Sequence, residues 1–404
     1  MARPPLQGLK VIDMAWLMAA PECARYLADL GADVIKIESG VRRDPLRSLG
    51  NYKDGVPGPN RSLSYHAINA GKRSLTLDMK ARGGREAFLR LVRWADVIIE
   101  AFTPGVADSL EVSYPHLKPL NPGLIMVSTS ILGSKGPASQ GLSGTGSTGL
   151  AFAGAKYLVG WPDRPPEGPN GPWTDSVTPR FITSTILSAL HRRQRTGQGC
   201  FIDASQAECG IHFLMPAWFD YAVNGVSPER RGSAGSPLRA PCGVYPCAGD
   251  DRWVAIDASD APAWSALRTI VGPALDDLRF DTLVGRLRNR DALDAAISAF
   301  TRDKSADAVE HMLQAAGAPA HVVCTAADFA TDEDLQAEGY YRLINDPEIG
   351  STMTRGPQVN FSRTPHPPVR PGPRLGDSTR DLLREVAGYS DAEIDALDAE
   401  GALR

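Results

Sequence analysis

Asp175 is the side chain in this 404-residue sequence whose position most clearly indicates chemistry. Thr178 suits an N-cap, and Pro179 suits the first position of a helix because its missing N–H would be unpaired there. Apolar residues at helical spacing then predict a helix over 179–194, which Gly197 ends. A carboxylate just before a helix N-terminus is stabilised by roughly 0.3–1 kcal/mol when exposed and up to about 2 kcal/mol when partly buried. The pattern therefore predicts a side chain that stays charged near neutral pH.

An ionised carboxylate in such a place can act as a nucleophile, and covalent catalysis splits one difficult exchange into easier steps. The alternative is that Asp175 only caps its helix. Thr178 is better placed for that duty, and the main support for a nucleophile comes from the resemblance described below.

Composition limits the partners of such a site. The chain has 43 basic and 47 acidic residues and a net charge of −4, which gives no global attraction to nucleic acid or to anionic membranes. No apolar run approaches 18 residues, and the first twenty residues do not follow the pattern of a signal peptide. We expect a cytoplasmic protein that holds any anionic ligand by local groups.

The length favours two domains, and the order of elements indicates their class. Strand and helix signals alternate from Leu9 to Ser128, which predicts an α/β fold with a parallel sheet that binds ligands beyond the carboxyl ends of its strands. The order of predicted elements changes after residue 222. A hairpin over 242–257, three helices and a short strand there predict a smaller α+β unit.

Five segments of the chain resemble, in order, blocks of the family III CoA-transferases, also called the CaiB/BaiF or formyl-CoA transferase/carnitine CoA-transferase family. In that family an aspartate precedes a helix, an R-x-R-T-G-x-G-like turn and an I-D-x-S strand. The matching segments are LQGLKVIDMA (6–15), ADLGADVIKIE (28–38), NAGKRSLTLDMK (69–80), ADVIIEAFTPG (95–105) and the stretch from Asp175 through RQRTGQG (193–199) to IDAS (202–205).

The resemblance implies a Rossmann-like large domain with an inserted small α+β domain. The corresponding boundaries are 1–222 for the first part of the large domain, 223–330 for the small domain, and 331–404 for a C-terminal part that returns to the large domain. It also implies a homodimer whose two chains are interlocked like links. Neither composition nor periodicity indicates that assembly.

The resemblance further implies a CoA-transferase that moves CoA from an acyl-CoA to a free carboxylic acid through an anhydride and a thioester at Asp175. Coenzyme A would be a substrate, with no permanently bound cofactor and no metal. The residues that would approach it are Met18, Ala19, Lys72, Arg73, Leu77, Asp78, Met79, Lys80 and Thr103.

Some residues depart from the family pattern. Ala101, Thr103 and Ser109 stand where many relatives carry amide, basic or arginine side chains, so the phosphate contacts of CoA are less specified than the nucleophile. Met18 is apolar where the formyl-CoA enzymes have an amide, which favours an acyl group larger or less polar than formate or oxalate.

Two glycine-rich segments have different predicted roles. Gly232, Ser233, Ala234 and Gly235 lie where relatives carry a mobile loop, and small residues there predict a lid that shields a reactive anhydride from water. Residues 144–149 fit G-x-G-x-x-G, but no strand directly precedes them, so we do not interpret them as a dinucleotide site.

Two other functions compete with CoA transfer. A racemase or isomerase on the same fold needs an acid–base pair, and its relatives carry a histidine in the loop that here lies between His116 and His191, a stretch without histidine. A non-catalytic CoA-binding protein would not need a carboxylate at 175. We therefore predict the transferase.

Overall fold

The computed structural model describes residues 3–136 and 143–404 and divides into two units. Their segments are residues up to 156, 169–227 and 335–404 for the first unit, and 157–168 and 228–334 for the second. The segment 157–168 was not part of the predicted small domain. Among the described residues, no helix is long and apolar enough to cross a bilayer.

The first unit is built around one sheet of six strands, all parallel, in the order β3-β2-β1-β4-β5-β6. The strands are β1 (Lys10–Asp13), β2 (Asp33–Glu38), β3 (Arg73–Thr76), β4 (Val97–Glu100), β5 (Ile125–Ser130) and β6 (Cys200–Ser205). The strand order reverses direction between β1 and β4, which is where doubly wound α/β folds bind their ligands. The predicted parallel sheet and α/β class are confirmed.

Within the described residues, ten α-helices precede residue 228, where the main segment of the second unit begins. They are α1 (Ala19–Asp29), α2 (Leu63–Asn69), α3 (Arg82–Trp94), α4 (Val106–Ser109), α5 (Tyr114–Leu117), α6 (Gly146–Phe152), α7 (Ala155–Leu158), α8 (Trp173–Thr196), α9 (Gln206–Phe213) and α10 (Met215–Asn224).

The second unit contains a three-stranded antiparallel sheet in the order β7 (Cys242–Pro246), β8 (Trp253–Asp257), β9 (Ala320–Val322). The helices of this stretch are α11 (Ala261–Val271), α12 (Leu283–Arg288), α13 (Arg290–Thr301), α14 (Ala306–Ala315), α15 (Ala326–Thr331) and α16 (Glu333–Ala337), the last of which ends in the first unit. Buried residues such as Trp264, Leu267, Leu293 and Ile297 form a core of its own.

The C-terminal segment belongs to the first unit. It contains a hairpin that the sequence analysis did not predict, β10 (Tyr341–Asp346) and β11 (Gly350–Arg355), and two helices, α17 (Thr379–Glu385) and α18 (Asp391–Ala399). Its end lies beside β3, where Asp78 donates its backbone N–H to the carbonyl of Ala402 at 2.8 Å. The last residues of the chain therefore help to fix the loop that follows β3.

Alternation along the strands of the sheet places apolar side chains on both of its faces. Ile12 and Ile98 pack with residues of α3, α17 and α18, whereas Val11 and Val97 pack with residues of α1 and α8. Successive side chains of a strand point to opposite faces, so a sheet covered on both sides is built mainly from apolar residues. Among its buried polar residues, Asp13 and Glu38 end their strands, and Lys36 within β2 pairs with Asp44.

Candidate active site

A cavity of about 590 Å³ lies at the carboxyl edge of the six-stranded sheet. Every strand contributes to its wall at or just after its carboxyl end. In strand order from β3 to β6, the contributing positions include Leu77, Glu38, Met14, Ala101, Thr129 and Gln206. Adjacent strands are about 4.8 Å apart, so the cavity's lining spans a sheet edge of about 24 Å. Such a site suits a long ligand.

Asp175 lines this cavity, but its helix begins earlier than the sequence predicted. α8 starts at Trp173, so Thr178 is not its N-cap and Pro179 lies inside it. Asp175 is the third residue of the helix instead of preceding it. Because proline has no N–H, the carbonyl of Asp175, four residues before Pro179, lacks the hydrogen bond that another residue there would give it.

Two opposing effects set the charge of Asp175. The side chain is only 9% exposed, and burial together with the negative charge of Glu22 raises its pKa to about 6. The position in the first turn of α8 acts in the opposite direction, since a helix N-terminus favours a negative charge. With a pKa of about 6, about nine in ten of these carboxyls are ionised at pH 7. Asp175 is thus a poorly solvated carboxylate, which suits a nucleophile.

Gly146 provides the space that Asp175 occupies. A Cβ at this position would lie 2.6 Å from Oδ2 of Asp175, closer than non-bonded atoms approach each other. The hydroxyl of Thr174 donates to the carbonyl of Gly146 at 3.1 Å, which joins the start of α6 to the start of α8. The glycine-rich segment 144–149 therefore lies beside the carboxylate, and residues 144–146 line the cavity.

The loop between β1 and α1 forms another part of the wall, including Met18 and Ala19. Leu17 adopts a left-handed conformation with φ of 65°, which is costly for a branched side chain. Its N–H donates to Oδ1 of Asp44 at 3.0 Å, and the other oxygen of Asp44 pairs with the buried Lys36 at 3.0 Å. A buried ion pair therefore holds the strained loop in place.

The block that follows β3 also reaches the cavity. Leu77, Asp78, Met79 and Lys80 all line it, as the resemblance implied for the side of the site that holds CoA. Lys80 is exposed at the rim, and Arg42, just after β2, lines the same part of the wall. These two cations are suited to bind phosphate groups.

Lys72 and Arg73 do not line the cavity, and their contact with the phosphates of CoA stays a prediction. Lys72 is buried, and its Nζ donates to Oδ2 of Asp13 and to two further oxygens, each at 2.7 Å. Arg73 is the first residue of β3 and pairs with Asp33 at 2.6 Å. Both cations therefore have carboxylate partners within the protein.

The segment after β4 departs from the family pattern and still lines the cavity, through Ala101 and Thr103. The carboxylate of Glu100 accepts a hydrogen bond from the N–H of Phe102 at 2.6 Å, which fixes the turn. Burial raises the pKa of Glu100 to about 7. Ser109 is not part of the lining; its hydroxyl donates to the carbonyl of Val106 at 2.8 Å.

The predicted lid lies in the second unit. Gly232 has φ of +59°, and a Cβ there would meet the ring of Trp161 at 2.3 Å. The N–H of Gly235 donates to the carbonyl of Cys242 at 2.8 Å. Ser233 and Ala234 lie between these two anchored glycines, and their role as a lid stays a prediction.

Arg42, Thr129 and Gln206 are among the residues of the cavity that sequence reasoning missed. The available signal was their position, since each lies at or just after the carboxyl end of a strand in a parallel sheet. Within residues 3–136 and 143–404, no group of three or more His, Cys, Asp or Glu side chains is arranged to hold a metal ion.

A doubly wound sheet with a buried carboxylate at its carboxyl edge defines an α/β enzyme whose site can take a long ligand. The family model for CoA-transferase family III matches residues 6–379. The chain therefore belongs to CoA-transferase family III and is an acyl-CoA:carboxylate CoA-transferase of the EC 2.8.3 class.

The similarity to proteins of known activity extends over nearly the whole chain. The succinyl-CoA–D-citramalate CoA-transferase of Chloroflexus aurantiacus is 32% identical over 98% of this chain and 97% of its own length. The acetyl-CoA:oxalate CoA-transferase of Acetobacter aceti is 33% identical over 95% of this chain and 96% of its own. A crystal structure of a CaiB/BaiF family protein from Brucella suis has a TM-score of 0.85, with 32% identity over 96% of this chain and all of that one.

Proposed function

We propose that this enzyme transfers CoA from an acyl-CoA to a free carboxylic acid with Asp175 as the nucleophile. The observation that supports this role is the buried Asp175 carboxylate in the wall of a cavity to which every strand of the sheet contributes. A carboxylate with few stabilising partners reacts readily with an acyl carbon, because attack removes its buried charge.

The reaction begins when a carboxylate oxygen of Asp175 attacks the thioester carbonyl of the donor. The C–S bond breaks, CoA leaves as a thiolate, and a mixed anhydride forms. The thiolate then attacks the aspartyl carbonyl, which releases the donor acid and leaves an aspartyl-CoA thioester. The acceptor carboxylate attacks this thioester and forms a second anhydride. The thiolate finally attacks the acceptor's acyl carbon and regenerates Asp175.

Every step moves an acyl group between oxygen and sulfur, so the proposed cycle needs neither a redox cofactor nor a metal. Coenzyme A enters and leaves as part of the substrates. Each intermediate is sensitive to water, which is the reason to propose that the segment 232–235 closes over the site during turnover.

The charges along the cavity suggest how CoA is oriented. Arg42 and Lys80 follow β2 and β3, at one end of the strand order, whereas Gln206 follows β6 at the other end and Asp175 lies on α8, which packs against α1, β5 and β6. We propose that the phosphates lie near the two cations and the thioester near Asp175. This arrangement uses Arg42 in place of Lys72 and Arg73.

A panel of donors and acceptors would identify the acids that this enzyme uses. Succinyl-CoA and acetyl-CoA as donors, tested with citramalate, malate, oxalate and glutarate as acceptors, cover the acids named for relatives of this chain. We expect the parent protein to form the acceptor's CoA thioester with at least one pair. The D175A variant should lose at least about a thousandfold in kcat while it still binds CoA, because only the nucleophile is removed. Activity of D175A within tenfold of the parent would refute the proposal.

A further inference from the structure

Two buried side chains that line the cavity each have a polar atom without a partner among the described residues. Thr129, on β5, is 1% exposed, and Gln206, the first residue of α9, is 8% exposed. Oγ1 of Thr129 and Oε1 of Gln206 make no hydrogen bond to any described residue, although both residues line the cavity. Buried polar groups are nearly always paired, so an unpaired couple in a cavity wall indicates a ligand that completes them.

Backbone register places these two side chains near each other. Thr129 pairs with Ala204 and Ser130 with Ser205, so Gln206 follows β6 just beyond the end of this ladder. The N–H of Ala207 donates to the carbonyl of Ile131 at 2.9 Å, which holds the start of α9 against the end of β5. The two side chains thus come from adjacent strand ends.

The same helix connects Gln206 with the nucleophile. Gly210 lies four residues further along α9, about 6 Å, and a Cβ there would meet the side chain of Thr174 at 3.0 Å. Thr174 directly precedes Asp175. α9 therefore packs against the start of α8, and the unpaired groups line the same cavity as Asp175.

The chemistry of the pair limits what it can bind. A threonine hydroxyl and a glutamine amide can each donate and accept a hydrogen bond, and neither carries a charge. The unpaired atom of Gln206 is its amide oxygen, which only accepts, so it needs a donor that an ionised carboxylate does not have. A substrate hydroxyl can donate to this oxygen and accept from the hydroxyl of Thr129, which satisfies both groups.

We propose that Thr129 and Gln206 recognise a hydroxyl group at carbon 2 or 3 of the acid that this enzyme transfers CoA to or from. This inference rests on the proposed function and names its substrate class, the hydroxy acids. The two residues determine specificity and take no part in the covalent steps. The apolar side chain of Met18 favoured an acyl group larger or less polar than formate or oxalate. The proposal modifies that expectation, because β5 and α9 supply a polar part of the pocket.

The test compares matched acids that differ by one hydroxyl: butyrate with 3-hydroxybutyrate, propionate with lactate, and glutarate with 2-hydroxyglutarate. Each acid is the acceptor, with a CoA donor that the parent protein uses. The variants are T129V and Q206M, which keep size and remove the polar groups. T185V, an exposed threonine of α8 outside the cavity, is the matched control.

We expect the parent and T185V to favour the hydroxy acid of at least one pair by about 30-fold or more in kcat/KM, since a site built to bond a hydroxyl discriminates against its absence. T129V and Q206M should each reduce that preference at least about tenfold, through loss of activity on the hydroxy acid alone. T129V should also unfold at the same temperature as the parent or higher, because it removes an unpaired buried hydroxyl.

Three results would overturn the inference. The first is an unchanged preference in both variants. The second is an equal loss on both acids of a pair, which would place the two residues in the transfer step itself. The third is a lower unfolding temperature for T129V, which would mean that its hydroxyl serves the fold. Absence of transfer to every acid by the parent would instead refute the proposed function.

Discussion

Asp175 illustrates how a fold can keep a carboxylate reactive. Its burial and the nearby charge of Glu22 raise its pKa to about 6, while the first turn of α8 favours its ionised form. The balance leaves the side chain mainly ionised at neutral pH but poorly stabilised as an anion. That is the state from which attack on a thioester is easiest, because the charge leaves the carboxylate as the anhydride forms.

The first prediction concerns the pH dependence of activity. In the proposed mechanism only ionised Asp175 attacks, so kcat/KM should fall as pH decreases through about 6, to about a tenth of its pH 8 value near pH 5. Initial rates between pH 4.5 and 8.5, with the fold checked by circular dichroism at each pH, measure this. A profile that is flat over that range would argue against a carboxylate nucleophile with this pKa.

The second prediction concerns stability. A carboxyl whose pKa is higher in the folded than in the unfolded state binds its proton more tightly when folded, so ionising it destabilises the fold as pH rises from about 4 to above 6. D175N, which is neutral at every pH, should be about 2–3 kcal/mol more stable than the parent at pH 8. The difference should shrink as pH falls towards 4. Urea unfolding at both pH values tests this, and a D175N variant less stable than the parent at pH 8 would contradict it.

At this scale the sequence predicts the nucleophile but not the groups around it. Asp175 stands in a recognisable stretch, whereas the sequence does not show which cations reach the cavity. Lys72 is held by Asp13 and Arg73 by Asp33, so neither lines the cavity, whereas Lys80 after the strand does. The unpaired state of Thr129 and Gln206 depends on packing, which no sequence pattern shows.

Among the elements, α8 shows the limit of local rules. A threonine followed by proline predicts a helix start at Pro179, yet α8 begins at Trp173. The wrong start has a physical reason. Proline costs a helix one hydrogen bond, and tertiary contacts can offset that cost: Thr178 is fully buried and Thr174 bonds Gly146. The result moves Asp175 into the helix, where its backbone is fixed.

The strands were predicted well because their signal is strong. β1, β2 and β4 coincide with apolar segments bounded by turn residues, and a parallel sheet makes these segments apolar on both faces. The hairpin β10–β11 was missed because YRLIND and GSTMTR have polar residues on both faces and lack a clear apolar alternation. The turn residues between them, Asp346, Pro347 and Gly350, were the available signal.

The third prediction tests the loop after β3. K80A should raise KM for the acyl-CoA about 5- to 20-fold and change kcat less than twofold, because a contact far from the reacting carbon acts equally in the ground and transition states. R82A is the matched control, since Arg82 is two residues away, 93% exposed and outside the cavity. Steady-state kinetics with one donor suffice. An unchanged KM in K80A would show that the cavity's cationic rim does not bind CoA.

At the scale of the whole molecule, the first unit exposes a surface that suits a partner. α10 has no buried residue in the isolated chain, and Trp218, Phe219 and Tyr221 are each more than half exposed. Large exposed apolar patches mark interaction sites. We propose that a second copy of the chain covers α10, as expected from the interlocked homodimer that the family resemblance implies.

The fourth prediction follows from that surface. The parent protein should elute as a dimer in light-scattering chromatography, and dilution to about 10 nM should leave it dimeric, because interlocked chains separate only after partial unfolding. Replacing Trp218 and Phe219 together by glutamate should produce monomer or aggregate, whereas R82A should stay dimeric. A parent protein that is monomeric at micromolar concentration would contradict the proposed assembly.

The most direct test of the proposed mechanism is to capture the covalent intermediate at Asp175. The parent protein is incubated with an acyl-CoA that it uses, in heavy water, and then treated with hydroxylamine or borohydride before peptide mass spectrometry. We predict inactivation that depends on the acyl-CoA, with a hydroxamate or the reduced alcohol on Asp175, no modification in D175N, and no deuterium at the α-carbon of the acyl group. Rapid deuterium uptake without any modification of Asp175 would contradict the transferase mechanism and make this residue an acid or base of an isomerase.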